Sequence, residues 1–278
     1  MKTNKQSNNK EIADALSIKI YDYQTSKEIS KQQIQLKKHT FSFLLEGKKE
    51  VFFDNSNFSI DKSSFLLMKS GHCLMTETPS SISENYRSIL LLFSTEEVIN
   101  LMKKYDLKPN HKVSSRSTYS FRYDSFITGF VNSLITISKL STNLQGNLLQ
   151  TKFEEIMLYL IEVRGANFLH SFTEDLNQNQ RFIETIESNV MNKLTVKELA
   201  FLSNMSISTF KRTFEKNFQS SPSKWFQDKR LEQAALLLDN DTNRPSDIFE
   251  EIGYENLSNF IQAFKTKFGV TPKQYQLN

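Results

Sequence analysis

The spacing of apolar residues changes once along the chain, near Ser94. Before this residue, from about position 16 to 93, short apolar runs are separated by Gly, Asn, Ser or Pro, which is typical of β-strands. The predicted strands lie in LSIKIYDY, TFSFLLEGKKEVFF, NFSI, SFLLMKSGHCLM and YRSILLLF, with LLEGKKEVFF as a hairpin. Several such strands at regular spacing predict a small barrel or sandwich.

After Ser94 the apolar residues recur every three or four positions, which is the period of a helix. Ser94 and Glu97 have the spacing of a capping box that begins the first helix, and a loop ending near Tyr119 follows it. Two longer helices then present one apolar face each, comprising Phe126, Phe130, Leu134 and Ile137 in the first and Leu149, Phe153, Ile156, Met157 and Leu160 in the second. These helices cover the barrel in the simplest interpretation. In a second interpretation, compatible with the first, the Leu149–Leu160 helix also packs against its copy in another subunit.

The last hundred residues contain an internal repeat at an offset of fifty positions, STFKRTFEKNFQSSPSKW at 208–225 and SNFIQAFKTKFGVTPKQY at 258–275. In each copy three Phe residues recur at every fourth position, the buried stripe of an amphipathic helix, and Ser-Pro or Thr-Pro then begins a further helix. Short helices precede the copies, in TVKELAFLS and PSDIFEEI, and tight turns follow these at Asn204-Met205 and Gly253-Tyr254. The pattern predicts two helix-turn-helix modules, at 195–218 and 245–268.

The segment between the modules, SPSKWFQDKRLEQAALLLDN at 221–240, has the composition of a strong helix with a Leu-rich face. Such a helix is about 28 Å long. Successive major grooves on one face of B-DNA are about 34 Å apart. Once the bulk of the modules is added, one helix of this length can hold two recognition helices in adjacent grooves.

These motifs together resemble the DNA-binding domain of the AraC/XylS family of bacterial transcription regulators. The similarity covers 181–278 and includes the repeat spacing, the KRLEQAALLL segment and the closing IGY…F…FKTKFGVTPKQY. The earlier FSFLLEGKKEVFF…FLLMKSGHCLM more loosely resembles the cupin-like regulatory domains of many family members. The resemblance implies an α+β chain with a small cupin-like β-barrel and covering helices at 10–168, which senses and dimerises. A linker at 169–180, in the polar segment HSFTEDLNQNQ, then leads to an all-α DNA-binding domain at 181–278 in which a long helix joins the two modules.

In each recognition helix the face opposite the Phe stripe is predicted to meet DNA. The family's base-contacting positions map onto Ser208, Lys211 and Arg212, and Lys216 lies beyond them as a phosphate contact. The predicted DNA-binding residues are Ser206, Ile207, Ser208, Thr209, Lys211, Arg212, Lys216, Asn256, Ser258, Asn259, Gln262, Lys265 and Lys267. The sequence departs from the family pattern where Gln262 replaces a common Arg, Phe249 a small residue and Gln219 a Gly.

Net charge alone does not indicate a nucleic-acid partner, but its distribution does. The chain carries a formal charge of +4, and 181–278 contains thirteen Lys and Arg against twelve Asp and Glu. Within the modules, 206–218 has three basic residues and one acidic residue, and 257–273 has three basic and no acidic residues. A single Cys excludes an internal disulfide, the polar start lacks the apolar core of a secretion signal, and no strictly apolar run exceeds five residues. We therefore expect a cytoplasmic protein without a membrane partner.

Candidate chemistry in the first part of the chain is sparse. The four His residues, His39, His72, His111 and His170, lack the His-x-His spacing of metal-binding cupins, and we interpret them as surface or satisfied core groups. We expect no metal or other cofactor and no catalytic residue. The residues Phe41, Phe43, Phe52 and Phe65 either fill a small barrel or enclose a cavity for an apolar ligand. An effector protein that captures this domain is the other regulatory hypothesis.

The combined prediction is a sequence-specific DNA-binding transcriptional regulator that binds a bipartite double-stranded operator. The family resemblance implies an activator that contacts RNA polymerase, and we expect a homodimer. One alternative is a metal-dependent cupin-type enzyme with an accessory helical domain. Another is an adaptor whose helical domain binds protein.

Overall fold

The chain divides into two compact units at Gln178 and Asn179. The computed structural model describes residues 17–108, 116–173, 177–239 and 243–277, so His111 and part of the expected linker lie outside the described residues. The first unit combines antiparallel sheets with helices and the second is helical, which gives the predicted α+β class. Among the described helices, none combines the length and the apolar character needed to cross a bilayer.

The first unit is built on two antiparallel sheets. The strands are β1 (Lys19–Thr25), β2 (Ile29–Leu36), β3 (His39–Glu46), β4 (Lys48–Phe52), β5 (Asn57–Ile60), β6 (Ser64–Met68), β7 (Gly71–Thr78), β8 (Tyr86–Phe93) and β9 (Thr118–Arg122). One sheet has the order β1-β8-β3-β6-β9 and the other β2-β7-β4-β5. The cupin-like barrel is not confirmed, because the described strands form two separate sheets and no closed barrel.

The predicted hairpin in LLEGKKEVFF is wrong, because its two strands belong to different sheets. Strand β3 pairs with β6 and β8, whereas β4 pairs with β5 and β7. Gly47 joins them with a φ of 87°, and a Cβ atom there would lie 2.5 Å from the carbonyl oxygen of Thr78. The chain therefore turns a corner between sheets at a position where only glycine fits.

Strands β2 and β9 were not predicted, and both lie at sheet edges. Strand β2 (ISKQQIQL) is mostly polar, and its register against β7 shifts between Ile29 and Gln32. Strand β9 pairs only with β6 in the described structure and begins at Thr118, where the sequence indicated the end of a loop. Strand β2 has no fully buried residue and carries a weak alternation signal, whereas β9 buries Thr118, Tyr119 and Phe121 but is only five residues long, so its pattern is short.

Helices cover one face of the five-stranded sheet. They are α1 (Thr95–Lys104), α2 (Ser125–Ile137), α3 (Thr142–Arg164), a 3-10 turn (Ala166–Leu169) and α4 (His170–Thr173). The side chain of Ser94 caps α1 by accepting a hydrogen bond from the Glu97 amide at 3.4 Å. The Glu97 carboxylate accepts a hydrogen bond from the Gln150 side chain at 2.9 Å. The predicted start of α1 at Ser94 is confirmed, but the complete capping box is not formed, because the Glu97 side chain bonds Gln150 instead of the Ser94 amide.

The apolar face of α3 is buried within the first unit. Its five predicted residues, Leu149, Phe153, Ile156, Met157 and Leu160, are all buried in the core of the first unit. They are thus unavailable for the predicted packing of this helix against its copy, and the covering role is the one that the structure supports.

The polar segment at 170–180 is not an open linker throughout. His170–Thr173 forms α4, and Phe172 is buried with its ring 5.1 Å from that of His39 and 6.4 Å from that of Phe93. A single buried aromatic ring anchors this otherwise polar stretch in the core of the first unit.

His39 is a satisfied core histidine, as interpreted from the sequence. Its Nδ1 accepts a hydrogen bond from the Ser70 amide at 2.9 Å, which leaves Nε2 to donate to Thr95 Oγ1 at 3.0 Å. Burial lowers the pKa of His39 to about 4, so the ring is neutral at physiological pH. No cluster of His, Cys, Asp or Glu suited to a metal ion occurs within the described ranges.

The phenylalanines expected inside the barrel lie elsewhere. Phe41, Phe43 and Phe65 are buried on the face of the first sheet that the helices cover. Phe52 is half-buried on the second sheet, with Lys31 Nζ 6.0 Å from its ring centre. Because side chains alternate between the two faces along β3 and β6, other residues of these strands lie in a second core cluster on the opposite face; examples are Leu44, Leu66 and Met68. Neither sequence hypothesis for these four rings is therefore retained.

A buried ion pair joins β4 to β7 in the second sheet. Lys49 Nζ lies 3.1 Å from Glu77 Oε1 and donates to Tyr86 Oη and Ser42 Oγ, each at 3.2 Å. Burial lowers the pKa of Lys49, but the neighbouring Tyr86 and Glu77 more than offset this and raise it above its ordinary value. The lysine is therefore charged and fully partnered.

The ion pair gives a stability prediction for the first unit. Lys49→Ala leaves the Glu77 carboxylate buried without its cation and should lower the free energy of unfolding by about 3–5 kcal/mol. Lys48→Ala, at the exposed neighbouring position, should change it by less than about 0.5 kcal/mol. Chemical denaturation of the two variants measures both values, and equal stabilities would contradict the assigned role of Lys49.

The second unit contains two aromatic cores that share one helix. Its helices are α5 (Gln178–Ser188, which begins at the boundary), α6 (Val196–Leu202), α7 (Ile207–Phe218), α8 (Pro222–Leu238), α9 (Pro245–Ile248), α10 (Leu257–Phe268) and α11 (Pro272–Gln276). The first core contains Phe182, Phe210, Phe214 and Phe226, and the second contains Leu231, Leu238, Phe260 and Phe264. Since α8 contributes to both cores, we call it the linker helix.

Phe214 is the central ring of the first core. Phe214→Ala should leave a cavity and destabilise the second unit by about 3–5 kcal/mol. Thermal unfolding of the full chain followed by tryptophan fluorescence tests this, because Trp225 packs 5.7 Å from the Phe214 ring. An unchanged transition at Trp225 would contradict the prediction.

Candidate nucleic-acid interface

The two halves of the second unit repeat the same aromatic geometry. Ring centres of Phe210, Phe214 and Phe218 are 5.8 and 4.6 Å apart in sequence order, and those of Phe260, Phe264 and Phe268 are 5.7 and 4.5 Å apart. Trp225 lies 4.8 Å from Phe218, and Tyr275 lies 5.7 Å from Phe268. Both Phe stripes are thus held inward by an aromatic residue of the following helix.

The turns before the recognition helices are also equivalent. Asn204 and Gly253 adopt positive φ values of 54° and 93°. The next amide in each case bonds back five residues, from Met205 to Ala200 and from Tyr254 to Phe249, at 2.9 Å. The first helix of the second module ends at Ile248 and is shorter than the predicted 245–252, because 249–253 forms turns.

Two of the predicted DNA-binding residues are the N-caps of the recognition helices. The side chain of Ser206 accepts a hydrogen bond from the Thr209 amide at 3.2 Å, and that of Asn256 accepts one from the Asn259 amide at 2.8 Å. These caps begin α7 and α10 at matching positions. Both caps are exposed.

The outward face of α7 is exposed and basic. Ile207 and Ser208 lie in its first turn, followed by Lys211, Arg212 and Lys216, and all five are exposed, whereas Thr209 is half-buried. Within the described part of the chain, Lys211, Arg212 and Lys216 form no salt bridge and no side-chain hydrogen bond. Three cations are therefore available to an anionic partner along one helix face.

The outward face of α10 is exposed but more neutral. Ser258, Asn259, Gln262 and Lys265 lie on it, and Lys265 has no ion-pair partner among the described residues. The structure does not bring Lys267 to this face. Its Nζ lies 3.1 Å from Glu232 Oε1 and donates to the backbone carbonyl of Asp228 at 3.0 Å.

Lys267 instead fastens α10 to the linker helix. Glu232 accepts a second hydrogen bond from Lys229 at 2.8 Å, and the two lysines together, Lys229 first, hold its pKa below the ordinary value. Lys229 and Lys267 are thus neutralised at the linker helix, whereas Lys211, Arg212, Lys216 and Lys265 on the outward faces have no ion-pair partner among the described residues.

Sequence reasoning missed two cations that border the outward face of α10. Lys224 and Arg230 belong to the linker helix and line a groove with Asn259 and Gln262. The Leu-rich pattern of this segment indicated a helix but not which of its basic residues stand beside α10. That information depends on how α8 and α10 pack.

Two family models match the chain. Residues 39–172 match the ExsA N-terminal regulatory domain, and residues 199–278 match a helix-turn-helix domain. A regulatory domain followed by helix-turn-helix modules defines a class of DNA-binding transcription regulators. Within this class, the matched helix-turn-helix domain is of the AraC type, and the homologues are AraC-family transcription regulators and not enzymes.

Curated relatives agree with this assignment. The virulence regulon transcriptional activator VirF of Yersinia enterocolitica is 31% identical over 47% of this chain and 49% of its own length. The lactose operon transcription activator of Staphylococcus xylosus is 19% identical over 86% of this chain and 84% of its own length. The chain thus spans about half the length of VirF. Among solved structures, ToxT from Vibrio cholerae matches with a TM-score of 0.44 and 13% identity over 94% of this chain and 96% of its own.

The ends of the two recognition helices differ in one respect. Gln219 and Gly269 occupy equivalent left-handed positions, with φ values of 51° and 81°. A residue with a Cβ atom is strained in this region, and glycine is not. The first module therefore carries a local strain that the second module avoids.

Replacing Gln219 should relieve that strain. Gln219→Gly should stabilise the second unit by about 1 kcal/mol. The matched variant Gly269→Ala should destabilise it by a similar amount through the backbone alone, because an added Cβ atom there meets nothing within 4 Å. Urea unfolding of both variants checks the opposite signs, and a loss of stability in Gln219→Gly would contradict the strain assignment.

Proposed function

We propose that the chain is a sequence-specific DNA-binding transcriptional regulator that places α7 and α10 in adjacent major grooves of one duplex. The observation that carries the proposal is the pair of equivalent recognition helices whose outward cations are unpaired. A solvated helix face explains scattered charges, but not two equivalent modules that both expose a polar face opposite a buried Phe stripe. The family assignment and the names of the curated activators support the same conclusion.

The two helices are proposed to make different contacts. On α7, Lys211 and Arg212 suit guanine O6 and N7, and Lys216, further along the same face, suits a phosphate. On α10, Asn259 and Gln262 suit adenine N6 and N7. Since α10 lacks an arginine on this face, we assign the larger share of base discrimination to α7.

The linker helix sets the distance between the two contacts. Its 17 residues span about 26 Å. With the bulk of a module at each end, this length approaches the roughly 34 Å between successive major grooves on one face. A bipartite operator with half-elements about one helical turn apart follows from that geometry.

The first unit is proposed to regulate this activity. We assign it to a domain that extends beyond the predicted end at 168 to include α4, and we assign the DNA-binding domain to 181–278. Its match to the ExsA N-terminal regulatory domain supports a role in control by an effector, either a small molecule or a protein. Activation through RNA polymerase, action as a homodimer and a cytoplasmic location extend the proposal from the names and family of the relatives.

Arg212 provides the direct test of the base-contacting role. Arg212→Ala should weaken binding to the selected operator and relax the preference at one base pair by about 1–3 kcal/mol. Lys216→Ala should weaken binding to all sequences alike, because a phosphate contact carries no sequence information. Selection from a random DNA library followed by quantitative binding separates these outcomes. Normal operator binding by Arg212→Ala would contradict the assignment of this face.

A further inference from the structure

A polar groove of about 960 Å³ separates the linker helix from α10. Lys224, Gln227 and Arg230 line it from the linker helix, and Asn259, Gln262 and Thr266 line it from α10. Asn259 and Gln262 are also proposed base contacts. The groove therefore adjoins the face of α10 that would enter the major groove.

The groove contains two cations without an acidic partner. The side chains of Lys224 and Arg230 form no salt bridge and no hydrogen bond with any residue that the structure describes. In contrast, Lys229 on the same helix lies 2.8 Å from Glu232 Oε2 and 5.8 Å from the ring centre of Trp225. Among these three cations of the linker helix, the one that does not line the groove is thus the one that is paired.

The aliphatic stem of Arg230 lies beside the turn of the second module. A Cβ atom on Gly253 would lie 3.4 Å from Arg230 Cδ, so the arginine stem lies against the bare glycine backbone. Arg230 Nε is buried and has no hydrogen-bond partner among the described residues. A buried donor without a partner is costly in a folded protein and calls for an explanation.

The acidic residues of the groove do not cancel these charges. Asp228 lies 3.5 Å from Lys267 Nζ and is opposed by that cation. Glu255 is exposed and also lines the groove. Three cations against two carboxylates leave the groove with a positive formal charge, whereas the adjoining face of α10 carries only Lys265.

We propose that this groove binds the DNA backbone between the two half-elements, with Lys224 and Arg230 contacting phosphate oxygens. This inference rests on the proposed function and extends it. A duplex that presents two adjacent major grooves must carry its backbone past the linker helix between them. Phosphate contacts fix the register of a protein on the duplex, and the groove would supply α10 with the positive charge that Gln262 does not.

The test measures the salt dependence of operator binding for the full chain and its charge variants. Lys224→Gln and Arg230→Gln each remove one cation from the groove, and Lys229→Gln removes the same charge from the paired position next to it. Loss of one phosphate contact should reduce the slope of log K against log salt by about 0.9. We expect that reduction in the two groove variants, with an unchanged base preference, and a wild-type slope in Lys229→Gln.

Ethylation of individual phosphates supplies an independent readout. It uses only the wild-type chain and Lys224→Gln, so it does not depend on the folding of Arg230→Gln. For the wild-type chain, ethylation between the half-elements should interfere with binding, and this interference should disappear in Lys224→Gln, whose side chain is exposed. Equal slopes in all variants, or an altered base preference in a groove variant, would overturn the inference while leaving the proposed function intact. Failure of the wild-type chain to bind any selected duplex would instead contradict the proposed function.

Discussion

Burial of two phenylalanines and partial burial of a third orient each recognition helix, and the candidate interface depends on this constraint. With Phe at every fourth position and an aromatic side chain of the next helix packed against the last one, α7 and α10 have one rotational setting about their axes. Some of the residues between the Phe positions, such as Lys211, Arg212 and Gln262, then face outward. Packing of the Phe residues in the core is therefore sufficient to expose the polar and basic side chains on the opposite face. These side chains need no contacts of their own to keep that orientation.

The linker helix connects the two recognition helices and fixes their outward faces relative to each other. Phe226 belongs to the first core, and Leu231 and Leu238 belong to the second. Because one continuous helix supplies a wall to both cores, the direction and separation of the two modules are coupled to its length. Lys267 adds a polar tie between this helix and α10. The first unit has no comparable repeat and is stabilised by a separate core, with the ion pair of Lys49 and Glu77 between its strands.

The sequence predicted the second unit well because its signals are local. Helix period, caps and turn residues each act within about five positions, and both copies of the repeat contain these signals. The first unit was predicted less completely, because pairing between strands is not local. Gly47 marks a turn, but the sequence does not say that the strands on either side join different sheets. Alternation along β3 places Phe41 and Phe43 on one face without saying what covers it. In the interface, the outward positions followed from the Phe stripe, whereas the location of Lys267, Lys224 and Arg230 depends on helix packing.

The central claim, that one linker helix places two recognition helices in adjacent grooves, is tested most directly by operator spacing. The measurement is the affinity of the full chain for its selected operator with zero, five or ten base pairs inserted between the half-elements. A helix of fixed length predicts that both insertions reduce binding to the level of a single half-element, even though ten base pairs restore the same face of the duplex. Affinity that recovers fully with the ten-base-pair insertion would contradict the account.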